Sequence, residues 1–146
     1  MTGGRRPIEY YEEASARQRS PALPLPSAEE SSTAEALRAF MLAMRFRRRA
    51  NRALARLGIS FAQWRVLEAT WRLIRRSGDA VSHLDVSSEL ELDEASVSRL
   101  MHILSARGWV DHGPDLRFYA WRVWVTDAGE GIVASAYAVV AGASMR

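Results

Sequence analysis

The stretch that decides the fold is residues 82–108, SHLDVSSELELDEASVSRLMHILSARG. Ser82 stands three residues before Asp85, the spacing of a capping box, in which a hydroxyl and a carboxylate each accept from the other's backbone N–H. Val81 and Val86 occupy the two apolar staple positions around that cap. A helix is therefore expected from Ser82 to about Leu90, followed by a tight turn at Glu91-Leu92. Asp93 is placed to cap a second helix that ends at Gly108. Two short helices joined by so short a turn make a helix-turn-helix.

The second of these helices separates cleanly on a wheel. Val97, Leu100, Met101 and Leu104 fall on the side that faces a core. Ala95, Arg99, His102 and Ala106 point away from it, with Ser96 and Ser98 on the flanks. Little bulk, several hydrogen-bonding groups and few acids are what a helix needs to lie deep in a major groove. Asp93 and Glu94 at its start favour the helix dipole but repel phosphate. Ser96, Ser98, Arg99 and His102 are the candidate DNA-binding residues of this helix, although a surface arginine or histidine often has no such role.

Downstream, Trp109-Val110 reads as a strand and Gly113-Pro114-Asp115 as a turn. Residues Phe118 to Val125 alternate, with Tyr119, Trp121, Val123 and Val125 on one face. A two-stranded ribbon after a helix-turn-helix is a wing, and Arg117 is expected near its tip, within reach of a minor groove or a phosphate. Thr126 is placed to cap a last helix with Ile132, Ala136, Val139, Val140 and Ala143 as its apolar stripe. So uncharged a helix is expected to be buried, most simply against a second subunit.

Upstream, Ser31 or Ser32 is expected to open a helix, with Glu35 completing a capping box from Ser32. Leu37, Phe40, Met41 and Met44 repeat at helical spacing, and Gly58 stops the helix after Leu57. Within it Arg45, Arg48, Arg49, Arg52 and Arg56 form one stripe, either a solvated face or a phosphate-facing one, and Arg47 lies off it. Ser60 caps the next helix, Phe61 to Arg76. Its expected buried stripe is Phe61, Trp64, Leu67, Trp71 and Ile74, opposite Arg65, Glu68, Arg72 and Arg76. Glu68 and Arg72 stand in the favourable order for an ion pair. Met44, Trp64 and Trp71 are candidates for lining a ligand cavity, although such side chains are more often plain core. Val81 is expected to be a very short strand. Four of the five prolines lie in the first 26 residues, so residues 1–31 read as a flexible arm.

Composition narrows the chemistry. The chain has 146 residues, suited to one domain with a tail. It has no cysteine, which excludes disulfides, zinc fingers, iron–sulfur clusters and thiol nucleophiles, and fits a cytoplasmic location. His83, His102 and His112 lack metal-ligand spacing, Ser98 has no evident base, and no phosphate-cradling glycine loop is present. No catalytic residue, metal or cofactor is expected, and the chain is not read as an enzyme. No secretory signal is expected, and the longest uncharged stretch, Gly131 to Met145, is too short to span a membrane. All 20 basic residues are arginine. The net charge of +3 is unevenly spread: residues 32–78 carry 11 Arg and 2 acids, and residues 79–115 carry 2 Arg and 8 acids. Such a basic block suggests a polyanionic partner.

The order of these elements resembles the MarR family of winged helix-turn-helix proteins. Gly58-Ile59-Ser60 with Gln63 resembles the opening of that family's second helix. Ala95-Ser96-Val97-Ser98-Arg99-Leu100 resembles the core of its recognition helix, and Gly108-Trp109-Val110 its exit into the wing. Asp115-Leu116-Arg117 resembles the Asp-x-Arg of its wing tip, and Val125-Thr126-Asp127-Ala128-Gly129 the opening of its next helix. The likeness covers residues 33 to about 140. It implies a mainly α fold with a small β-wing, built as a winged helix-turn-helix plus N- and C-terminal dimerisation helices. The matching layout is a DNA-binding core at residues 57–125 and dimerisation helices at 32–56 and 126–146. The resemblance implies a cytoplasmic, homodimeric transcription regulator, more often a repressor, that binds double-stranded DNA. Ser96, Ser98 and Arg99 would contact DNA, Arg117 would be the wing contact, and Asp115 would brace the wing. Many relatives also take a small aromatic or anionic ligand. Two departures are expected: a wing about two residues longer than usual, and less C-terminal helix. The −6 segment also allows a winged-helix protein-interaction module with an acidic helix-turn-helix, and a plasmid- or phage-type DNA-binding factor is a further alternative.

Overall fold

Apolar periodicity and capping produce five helices and one ribbon in the residues the structure describes. The structure is a computed structural model and describes residues 24, 25, 27–115 and 120–144. The elements are α1 (Ala28–Ala55), α2 (Phe61–Ser77), α3 (His83–Leu90), α4 (Glu94–Ala106), β1 (Val110–Asp115), β2 (Ala120–Val125) and α5 (Asp127–Ser144). The chain divides into two units, Met1–Ala39 and Phe40–Arg146.

In the first unit the start of α1 differs from expectation. Ser27, not Ser31 or Ser32, is the cap: its Oγ accepts from Glu30 N at 3.2 Å, and the Glu30 carboxylate accepts from Ser27 N at 2.6 Å. Both pairs satisfy the capping-box spacing, and the upstream one wins because Ala28, Glu29 and Glu30 add a good helix former and two acids to the first turn. The helix therefore takes in residues 28–31, which composition alone places in the arm.

The second unit is built around α2. Ser60 and Gln63 form a reciprocal capping box, and Gly78, at φ 73°, closes the helix through its N–H to Ile74 O. The buried face of α2 is centred on Val66, Leu67, Ala69 and Thr70; of the expected stripe, Leu67 alone is fully buried. Because α2 packs against α3, α4, α5 and the wing, it buries more than one face. Phe61, Trp64, Trp71 and Ile74 are left half-buried at its margin. The one polar residue at the centre, Thr70, donates its hydroxyl to Val66 O at 2.7 Å, so no unpaired group is buried there. The expected Glu68–Arg72 ion pair forms, at 2.9 Å, and extends to Glu89 of α3. Tyr137 of α5 donates its hydroxyl to Glu68 at 2.6 Å, and burial followed by this bond pushes the phenol up to about 12.

The helix-turn-helix forms as expected. The Ser82–Asp85 capping box is present, Glu91 adopts the left-handed conformation at φ 53° to make the turn, and Asp93 caps α4. Val86, Val97, Met101 and Leu104 are fully buried. The wing pairs antiparallel from Val110↔Val125 to Asp115↔Ala120, and Val81 adds one rung through its two backbone bonds to Val123. Gly113, Pro114 and Asp115 lie in β1 and not in a turn. Glycine is needed at 113 because a Cβ there would stand 2.7 Å from the Trp124 ring, and a two-stranded ribbon has free outer edges that tolerate Pro114. The wing tip, including Arg117, lies outside the described residues. The buried face of α5 is Gly129, Val133, Ala136 and Val140, so Val133 replaces Ile132 at the centre of the expected stripe. Thr126 accepts from Gly129 N at 3.1 Å and donates to Gly108 O at 2.6 Å, which fastens α5 to the end of α4. Among the described residues no helix is long and apolar enough to cross a membrane.

Candidate nucleic-acid interface

The α4 wheel places its small and hydrogen-bonding residues outward because Val97, Met101 and Leu104 are drawn into the core. Ala95, Arg99, His102 and Ala106 are all exposed. Ser96 and Ser98 sit half-buried at its edges, each with its hydroxyl engaged. Ser96 Oγ donates to Asp93 Oδ1 at 2.6 Å and accepts from Arg99 Nη2 at 3.1 Å. Ser98 Oγ shares a hydrogen bond of 2.9 Å with His83 Nδ1.

The acid at the head of the helix is tied down. Asp93 accepts from the Ser96 hydroxyl and from Ser96 N, and these bonds hold its carboxyl below the usual range, with a smaller contribution from Arg99. Its charge is engaged at the helix terminus, and Arg99, exposed one turn further along, is held by Ser96 Oγ.

Three arginines from three helices meet beside this face. Arg47 of α1, Arg65 of α2 and Arg99 of α4 line one cleft of about 520 Å³, floored by Phe61, Leu92 and Leu100. Arg47, off the α1 stripe on the wheel, lies 5.9 Å over the Phe61 ring. The basic α1 and α2 thus supply charge to the acidic helix-turn-helix through packing that sequence periodicity cannot show. Arg107, at the end of α4, stacks 4.0 Å over Trp109 and donates to Gly58 O, so it is structural. Arg122 is likewise engaged with Asp85 at 3.6 Å and Ala80 O at 3.3 Å.

The α1 stripe reads differently. Arg45, Arg48, Arg52 and Arg56 are exposed, Arg49 is half-buried, and none of the five forms an ion pair among the described residues. Of the cavity candidates, Trp64 and Trp71 both pack on Tyr137, with ring centroids 6.2 and 6.1 Å away, and Met44 is half-buried on α1. Among the described residues the buried Trp64 Nε1 has no acceptor.

Histidines 83 and 112 also meet beside α4. Burial holds both below the ordinary histidine value of 6.5, and neighbouring histidines lower them further. The unfolded chain takes up these protons near the ordinary value, the folded chain only at lower pH. Their contribution to stability is therefore complete above about pH 6.5 and is lost as pH falls below it. Urea midpoints are expected to drop between about pH 7.5 and about pH 5.5, and to drop less in His112→Gln. Equal midpoints in the parent protein would contradict this.

No family model and no curated protein matches the chain. Solved structures do. Reduced MarR from E. coli superposes with a TM-score of 0.64 at 22% identity, covering 84% of this chain and 79% of its own. A MarR-family transcriptional regulator from Rhodococcus sp. RHA1 gives 0.66 at 23% identity, with 81% of each chain covered. A mutant E. coli MarR complexed with operator DNA gives 0.63 at 21% identity, with 79% of each chain covered. The fold is therefore the mainly α winged helix-turn-helix fold of these proteins, with its small β-wing.

Proposed function

We propose that this chain is a sequence-specific DNA-binding transcription regulator of the MarR type, acting as a homodimer in the cytoplasm and without enzymatic activity. The observation that carries the reading is the outward face of α4, open and small, next to a cleft that gathers Arg47, Arg65 and Arg99. Arg99 reaches a base edge or phosphate, and Arg47 and Arg65 hold the flanking backbone. His102 lies on the same face, and Ser96 and Ser98 contribute from its edges. Arg117 and Asp115 take the roles the resemblance implies, a contact to DNA and the brace for it. The solved relative with operator DNA supports the same mode of docking.

Dimerisation is supported by an apolar surface on α1: Phe40 is 59% exposed, Met41 50% and Leu42 62%. So many large apolar side chains on one helix favour a partner over water. Repression is the simplest output of such a dimer. Control by a small aromatic or anionic ligand near Met44, Trp64 and Trp71 is supported by the unsatisfied Trp64 N–H, a donor that a ligand oxygen would fill.

The test is fluorescence polarisation with a duplex from the chain's own upstream region, over a salt series. Affinity is expected to fall steeply and linearly in the logarithm of salt, because each neutralised phosphate releases counterions. Absent binding, or binding insensitive to salt, would overturn the reading.

A further inference from the structure

The chain's three histidines, irregularly spaced in sequence, converge in the fold. His83 opens α3, His102 lies on the outer face of α4, and His112 is in β1. His83 Nε2 and His112 Nε2 are 2.8 Å apart, and the His102 ring lies over His112 with centroids 6.4 Å apart. With Glu94 and Trp121 they line a cleft of about 600 Å³ between the helix-turn-helix and the wing. Among the described residues no three His, Asp or Glu side chains form a group suited to a metal ion, so the cluster reads as a proton site.

Two ring nitrogens at this distance bond only if one carries a hydrogen and the other a lone pair. A neutral pair meets that condition. So does a pair with one added proton: His83 then donates from both nitrogens, to Ser98 Oγ and to His112 Nε2. A second proton would set two N–H groups against each other. The pair accepts one proton without losing its geometry and resists the next.

The surroundings set when that proton arrives. From α4, Glu94 favours it and His102 opposes it; from β1, Asp111 favours it at His112. Asp85, on α3 itself, is engaged by Arg122 of β2. In the free protein desolvation outweighs the two favourable carboxylates and holds both rings below the ordinary histidine value. A DNA backbone against this cleft reverses the balance, since it brings several negative charges to a site already shaped for one more positive charge.

We propose that the His83–His112 pair takes up one proton when duplex DNA docks, so that DNA binding tightens as pH falls. The proposal rests on the DNA-binding reading above and adds a regulation to it.

Its test is polarisation with the same upstream duplex at constant ionic strength, from about pH 8 to about pH 5.5. Far-UV circular dichroism at each pH confirms that the protein stays folded. One proton taken up per protomer changes the dissociation constant by up to about tenfold per pH unit for each protomer on the duplex, so up to about a hundredfold for a bound dimer, and a slope of at least about threefold near pH 6 is expected. His112→Gln and His83→Gln keep hydrogen-bonding side chains but cannot take the proton, and each is expected to remove most of the slope. Imidazole resonances of His83 and His112 should shift toward the charged form when DNA is added near pH 6.5. Salt-sensitive binding with no pH dependence, or a slope that survives both variants, would overturn the proton link and leave the DNA reading intact. No binding at any pH would overturn both.

Discussion

Gly129→Ala is expected to cost about 3 kcal/mol of stability, the upper end of the usual cost of overpacking an interior, and to lower the melting temperature by on the order of 10 °C. Gly129 sits in the first turn of α5, where the helix meets the backbone at the base of the wing. A Cβ there would overlap the carbonyl oxygen of Trp109 and stand 2.8 Å from Val125 Cγ1. The backbone oxygen cannot swing aside, because it accepts from Thr126 N at 3.1 Å. Relief requires the whole first turn of α5 to lift away. That breaks this bond and the Thr126 hydroxyl bond to Gly108 O, and it loosens Trp109 and Val133 from the core. Gly131, two residues along, is exposed, and a Cβ there would meet nothing within 4 Å. Gly131→Ala is therefore expected to be neutral or to stabilise the helix by about 0.5–1 kcal/mol. Thermal denaturation of the two variants side by side is the check. A Gly129→Ala protein within about 1 kcal/mol of the parent would mean that α5 does not dock on Trp109 as described.

Gly129 also shows what a sequence carries and what it withholds. Its place in the resemblance is legible, but its reason is not local: only the tertiary approach of Trp109 makes a methyl group intolerable there. The helix starts at Ser60, Ser82 and Asp93 can be read directly, because a cap is a contact between residues three apart. The start of α1 misleads for the same kind of local reason, since two serine–glutamate pairs compete and the acids of the first turn decide between them. The Gly113-Pro114 pair misleads for a non-local one, the Trp124 ring across the strand. The buried face of α2 depends on how many neighbours it has, and that is a property of the assembled fold. The site divides in the same way. The outward side of α4 follows from a wheel, whereas the approach of Arg47 and Arg65, and the meeting of His83 with His112, follow only from packing between helices. The one signal that could have pointed to Arg47 is its departure from the stripe made by the other arginines of α1.

Arg99→Ala is expected to weaken binding to the preferred duplex by about 1–3 kcal/mol, or roughly 5- to 150-fold, and to flatten the difference between that duplex and a scrambled one. The side chain is exposed on the outer face of α4 and is steadied by Ser96 Oγ, which is itself held by the Asp93 cap. A guanidinium presented this way loses little further freedom on binding, and its fork suits the two acceptors of a guanine edge. Arg65→Ala tests the other half of the interface. Arg65 shares the cleft with Arg99 but belongs to α2, to the side of α4, where a phosphate and not a base edge is the expected partner. Its loss should weaken both duplexes to a similar degree and reduce the salt slope by about one. The two variants therefore separate reading from holding. If Arg99→Ala weakened both duplexes equally and left their ratio unchanged, α4 would not be reading bases through Arg99. If Arg65→Ala left the salt slope unchanged, the cleft would not be a phosphate contact, and the gathering of arginines from three helices would have to serve something other than the DNA backbone.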